Sequence, residues 1–261
     1  MDLQLTNKTA LVCGASKGLG LAIAQALAEE GAVVGLLARN QARLAKAVAD
    51  LEAKGAKGLA LKGDLGDWKS VESALHAFRQ SCSGPDILVI NSGGPPAVDI
   101  TKVEPDLWRI QFEAMVLNQM RLVEATLPAM RKSGFGRIVS VSSTSIVEPF
   151  AALAISNALR AALAGWLKTL AGQVAGEGVT VNLLLPGSFA TERIEELDRR
   201  QAEHERLPIE EVRRANLADI PARRYGEPHE FGQLAAFLAS PKAGYITGAA
   251  IRIDGGATRS L

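Results

Sequence analysis

The sequence predicts a single α/β domain in which a parallel sheet is covered by helices on both faces, a doubly wound sandwich. Three observations carry this. Seven short β-branched or apolar segments recur along the chain, helical patterns lie between nearly all of them, and strands such as Ile87-Leu88-Val89-Ile90 are apolar without interruption. Uninterrupted strands suit a sheet buried on both sides, and right-handed crossovers between parallel strands then place helices on both faces.

Strands are expected at 9–13, 33–37, 58–61, 87–90, 137–141, 179–184 and 250–253. After the first, Leu19, Ile23, Ala26 and Leu27 form one helical stripe, and Gly31 ends that helix before the second strand, completing a βαβ unit. A long helix over about 151–172 places Leu159, Leu163, Trp166, Leu167 and Leu170 at helical spacing, which core packing explains. The stretch 192–214 differs in composition, with fourteen charges in 23 residues. It reads as a solvated helix pair; because it follows Pro186-Gly187, beyond the carboxyl end of a strand, a substrate lid over about 190–218 is the sharper expectation.

Composition narrows the function. The chain has 261 residues, 48% hydrophobic and 22% charged, with a net charge of +1, which excludes disorder and removes the electrostatic reason to expect nucleic acid. One domain spans 1–261. The longest charge-free stretch, 178–191, has 14 residues, short of the roughly 18 a spanning helix needs. No secretion signal stands at the N-terminus, so a cytoplasmic location is expected, with no membrane partner. Cys13 and Cys82 read as reduced apolar side chains, and no metal site is expected.

Between first strand and first helix lies Gly14-Ala15-Ser16-Lys17-Gly18-Leu19-Gly20. Glycines let the backbone approach a pyrophosphate, and the helix N-terminus supplies N–H donors and partial positive charge. Gly14, Ser16, Lys17, Gly18, Leu19 and Gly20 are therefore the expected cradle of a dinucleotide. A Rossmann site for NAD carries an acid at the end of the second strand to accept from the ribose 2′-hydroxyl; here the chain reads Leu37-Ala38-Arg39. Arg39 cannot accept a hydrogen bond but suits a 2′-phosphate, with Lys17 as a second cation, so NADP(H) is expected over NAD(H).

Here the chain resembles the short-chain dehydrogenases and reductases, over essentially its whole length. Gly14, Gly18 and Gly20 match that family's glycine turn, with Cys13 in place of the usual threonine. Asp64-Leu65 resembles the pair whose aspartate meets the adenine, and Asn91-Ser92-Gly93-Gly94 resembles the family's Asn-Asn-Ala-Gly, so that Asn91 and Gly93 join the expected coenzyme contacts. Pro186-Gly187 with Thr191 is similar to the stretch that holds the nicotinamide carboxamide, and 246–248 with 253–256 is similar to the family's ending. The layout is closest to the β-ketoacyl carrier-protein reductases. That resemblance implies a three-layer Rossmann fold with a seven-stranded parallel sheet, NADP(H), a small carbonyl or alcohol substrate, and a homo-oligomer, tetramer or dimer.

The family's catalytic pattern breaks. Its serine falls on Ser143, but its Tyr-x-x-x-Lys reads Ser156-Asn157-Ala158-Leu159-Arg160. The two tyrosines, Tyr225 and Tyr245, are followed four residues later by His229 and Ala249, so the signature occurs nowhere. The family's helix asparagine falls on Met115, with Asn118 one turn away. Serine is a far weaker acid than a phenol of pKa near 10, whereas Arg160 keeps the charge and can bond the nicotinamide ribose. Two functions follow as expectations. One is an NADP(H)-dependent oxidoreductase in which Ser143 orients the substrate oxygen, Ser156 or a water relays the proton and Arg160 keeps the family's cation, Glu148 reading first as a solvated loop carboxylate and His204 being the one histidine placed to approach a substrate; the other is a non-catalytic NADP(H)-binding sensor or assembly subunit.

Overall fold

The computed structural model describes residues 1–96 and 98–260. In chain order, β1 (Thr9–Cys13), α1 (Gly18–Glu29), β2 (Val33–Ala38), α2 (Gln41–Glu52), β3 (Lys57–Lys62), α3 (Trp68–Ser81) and β4 (Ile87–Ile90) form the first half. The second comprises α4 (Pro105–Phe112), a π-helical turn (Glu113–Leu117), α5 (Asn118–Ser133), β5 (Gly136–Val141), α6 (Ala154–Val174), β6 (Val179–Pro186), α7 (Glu192–Glu205), α8 (Ile209–Asp219), α9 (Pro228–Leu238) and β7 (Ala250–Ile253). All seven expected strands are present within two residues of their expected ends. The long helix starts at Ala154 rather than 151, because residues 151–153 wind as a tighter turn first.

The strands run parallel in the order β3-β2-β1-β4-β5-β6-β7. Each strand sends alternate side chains to opposite faces, and the pleat sorts the core accordingly. Val12, Val34, Leu36, Val89 and Val139 pack with Ile23, Leu27, Leu44 and Phe231 of α1, α2 and α9. Leu11, Leu37, Leu88, Ile90 and Ile138 pack with Phe78, Leu122, Val123 and Leu167 of α3, α5 and α6. Three helices therefore cover each face, as uninterrupted strands require.

Local chemistry sets the helix ends. Asn40 accepts from the Arg43 amide at 2.9 Å to start α2, and Asp67 accepts from the Lys69 amide at 3.1 Å to start α3. Gly31, at φ +87, turns the chain out of α1 into β2 as expected. The strand order reverses direction between β1 and β4, and the crevice at that switch point, beyond the strands' carboxyl ends, is where open α/β sheets take ligands. Among the described residues no helix is long and apolar enough to cross a membrane.

Candidate coenzyme and active site

The glycine turn and Asn91 face each other across the switch point, because β1 and β4 are neighbours. Asn91 Nδ2 donates to the Cys13 carbonyl at 3.3 Å. A Cβ on Gly14 or on Gly20 would stand 2.7 Å from that same Nδ2, and one on Gly20 would stand 2.4 Å from the Gly14 carbonyl oxygen. These two glycines are thus demanded by the closeness of turn, helix and Asn91. A Cβ on Gly18, at φ +57, would stand 3.8 Å from the Thr191 methyl, and Gly93 opens onto free space. Gly20→Ala is expected to lower stability by about 1–3 kcal/mol, since the clash is with backbone that cannot swing away. Denaturant unfolding, read as a shift of midpoint at constant slope, measures it.

Among the described residues, α1 carries no acid in its first turn and no side chain caps its N-terminus, so its amides remain free to bind an anion. Ser16 is half-buried and Lys17 exposed at that end, with Leu19 half-buried beside them. The donors, the Gly93 opening and the cations nearby fit a dinucleotide phosphate chain. Cys13, beneath the turn, is fully buried, and burial pushes its thiol up to about 12, which makes it an inert apolar side chain as expected.

The expected 2′-phosphate cations are placed differently from each other. Arg39 follows β2 directly and is 79% exposed, its guanidinium 4.0 Å from Asp64. Lys17 turns instead to Glu192, at 2.7 Å, and Glu192 also takes Arg43 Nη1 at 3.0 and 3.2 Å. Sequence reasoning missed Arg43 and Glu192; the available signal was that Arg43 sits in the first turn of α2 beside Arg39, and that Glu192 directly follows Thr191. Asp64 Oδ1 accepts the Gly66 amide at 2.9 Å, and the Leu65 carbonyl accepts Asn118 Nδ2 at 2.8 Å.

Of the expected catalytic residues, Ser143 lies just beyond β5, and Arg160 reaches from α6 to the carboxyl ends of β4 and β5. Ser143 Oγ accepts the Ser145 amide at 3.1 Å, which fills a lone pair and leaves the hydroxyl proton free to be donated. Ser156 and Arg160 lie one turn apart on one face of α6, and Arg160 Nε donates to Ser156 Oγ at 3.1 Å. Arg160 Nη1 donates to the Val141 carbonyl at 3.0 Å, and Nη2 reaches the Ser92 carbonyl at 3.5 Å. The guanidinium therefore staples α6 to the ends of both strands while two of its five N–H groups stay available. All three partners are neutral oxygens, and burial, followed by repulsion from Arg193, pushes its pKa down to about 10. At neutral pH it stays charged.

Several candidates from the sequence are corrected. Glu148 does not face a substrate as a proton donor: it accepts the amides of Arg259 and Ser260 at 3.0 and 2.8 Å, which pins the C-terminal tail and lowers its pKa. Asn118 is fully buried, spends its amide on Leu65 and accepts Arg121 at 3.2 Å, so it holds the β3 end and takes no part at Ser143. Met115 is buried beside Ile155 and Leu159. His204 lies exposed in the last turn of α7. Of the two tyrosines, Tyr245 is fully exposed and Tyr225 donates to Asp198 at 3.1 Å, with burial raising its pKa.

Pro186 ends β6, and the Gly187 amide donates to Ile253 at 2.9 Å; a Cβ there would stand 2.7 Å from that of Asp254. Thr191 then starts α7. The charged stretch is a helix pair, α7 and α8, with its outer charges paired along α7, as in Arg200 with Glu196 at 2.5 Å. Inside the pair, buried Asp198 takes Tyr225 and Asn216, the latter at 3.1 Å, and joins both helices to the segment before α9.

This architecture is shared widely. Residues 14–258 match the family described as enoyl-(acyl carrier protein) reductase. A 3-oxoacyl-[acyl-carrier-protein] reductase of Vibrio cholerae is 37% identical over 254 residues, covering 97% of this chain and 98% of that one. The L-sorbose reductase of Gluconobacter frateurii, solved with NADPH and L-sorbose, superposes with a TM-score of 0.95 at 31% identity, over 100% of both chains. YwfH, an NADPH-dependent reductase involved in bacilysin biosynthesis, superposes with a TM-score of 0.93 at 29% identity, over 98% of this chain and 100% of that one. With a family match across nearly its full length, a glycine turn opposed by Asn91 and seven strands in the shared order, the chain belongs to the short-chain dehydrogenase/reductase family of oxidoreductases.

Proposed function

We propose that this chain is an NADP(H)-dependent oxidoreductase acting on a carbonyl or secondary alcohol through an altered centre of Ser143, Ser156 and Arg160. The observation that carries the reading is Arg160, a half-buried cation bonded to Ser156 and held between the ends of β4 and β5. A bound nicotinamide supplies or takes the hydride. Gly14, Ser16, Gly18, Leu19 and Gly20 hold the phosphate chain, Arg39 and Lys17 the 2′-phosphate and Asp64-Leu65 the adenine end. Asn91, Gly93, Pro186, Gly187 and Thr191 border the nicotinamide end, where Arg160 bonds the ribose. A relative of 31% identity solved with NADPH and an NADPH-dependent reductase of 29% identity support this coenzyme.

Ser143, its lone pair occupied by the Ser145 amide, donates to the substrate oxygen. Ser156, bonded by Arg160, keeps its own proton for the same oxygen and regains it from water. The guanidinium stabilises the developing alkoxide electrostatically, which in a site closed to water outweighs its effect in solution. The α7–α8 pair serves as a lid over the substrate, and the protein acts in the cytoplasm as a homo-oligomer, tetramer or dimer.

Two measurements test this reading. A ketone panel assayed for NADPH loss should yield at least one substrate whose turnover scales with protein concentration; none above background, with NADPH still bound, would leave a non-catalytic coenzyme-binding protein. Arg39→Asp is expected to weaken NADPH about 10-fold or more while changing NADH little, because a charge-assisted bond to the phosphate becomes a repulsion. Equal losses for both coenzymes in a fluorescence titration would contradict the assignment.

A further inference from the structure

Glu192 stands in the wrong half of the molecule for its partners. It follows β6, three strands away from β1 in the sheet, yet its carboxylate lies across the switch-point crevice against Lys17 of the glycine turn and Arg43 of α2. Lys17 and Arg43 issue from the ends of β1 and β2, which pair in register as Cys13 with Leu37, and Arg39 issues from the same corner. Three cations thus surround the place expected for the 2′-phosphate, and two of them hold a carboxylate brought by the first turn of α7. All three groups of this bridge are about half-exposed, at 54% for Lys17, 46% for Arg43 and 56% for Glu192, so a phosphate has access to them.

We propose that Glu192 sets the discrimination between NADPH and NADH, its carboxylate competing with the 2′-phosphate for Lys17 and Arg43. The proposal rests on the coenzyme reading above. A phosphate monoester carries close to two negative charges at neutral pH and three acceptor oxygens, against one charge and two oxygens for a carboxylate, so it displaces Glu192. NADH brings no group to that corner and leaves the bridge closed. Occupation of the corner therefore releases the first turn of α7, and with it the end of the helix pair nearest the coenzyme. The bonds from Lys17 and Arg43 hold the Glu192 carboxyl below its usual pKa, which keeps it charged and competing throughout the neutral range.

The test is an equilibrium titration of wild type and Glu192→Gln with NADPH and with NADH, followed by coenzyme fluorescence or calorimetry. Glutamine keeps the size and removes the charge. Exposed ion pairs are weak, so losing two of them is expected to tighten NADPH about 3- to 10-fold, with NADH staying within about twofold. The gain should shrink in high salt, which screens the bridge in the parent protein. NADPH affinity unchanged by the substitution, or weakened together with that of NADH, overturns the proposal; the latter result makes Glu192 a clasp over either coenzyme. A wild-type protein that binds neither coenzyme overturns the coenzyme reading itself.

Discussion

Ser143→Ala is expected to lower kcat for carbonyl reduction by about 10²- to 10³-fold, the usual cost of deleting one donor to a developing oxyanion. NADPH affinity should stay within about twofold, because the role proposed for the serine is at the substrate oxygen, away from the coenzyme's phosphates. The hydroxyl also caps the short turn at Thr144–Ile146 by accepting the Ser145 amide, so about 1 kcal/mol of stability goes with it. Ser143→Thr keeps both the donor and the cap and should recover most of the rate. Steady-state kinetics of the three proteins beside coenzyme titrations check this, and a fall in rate that threonine does not reverse would assign Ser143 a packing role alone.

The second large effect is a gain. Ser156→Tyr with Arg160→Lys is expected to raise carbonyl reduction by about 10²-fold or more, the contribution a positioned general acid ordinarily makes. The reason is acidity. A phenol near pKa 10 beside an ammonium is lowered towards neutrality, whereas an aliphatic hydroxyl beside a guanidinium releases a proton poorly. The rate should also gain a pH dependence, falling as the phenol ionises, that the parent lacks. Each single change should do less: Ser156→Tyr alone sets a larger side chain against the arginine staple, and Arg160→Lys alone gives up the bonds to Val141 and Ser92. If the double variant folds, binds NADPH and shows no gain over the parent, the substrate oxygen does not lie where the family geometry puts it.

Much of the molecule could be read from its residues. Strand positions followed from uninterrupted apolar runs, and the glycine turn from its place between strand and helix, because both are local properties of a short segment. Ser143, Ser156 and Arg160 were chosen because they stand where the resembling family has its catalytic motif, and the fold brings Ser156 and Arg160 together because a separation of four residues is one turn of α6. The weaker candidates were not legible for a common reason. Glu148, Asn118 and His204 were judged by their distance along the chain from known positions, whereas their partners, the Arg259 and Ser260 amides, Leu65 and the solvent, are chosen by packing.

The amino-acid order by itself determined the sheet, its helical covering and the glycine turn, since each depends on side-chain type at short range. Tertiary structure alone decided that Lys17 and Arg43 share the carboxylate of Glu192, 175 residues beyond the former, and that a half-buried guanidinium ties α6 to two strand ends. Such pairings depend on which strand ends the winding of the sheet brings side by side, and an ion pair carries no periodicity by which its two members could find each other in sequence.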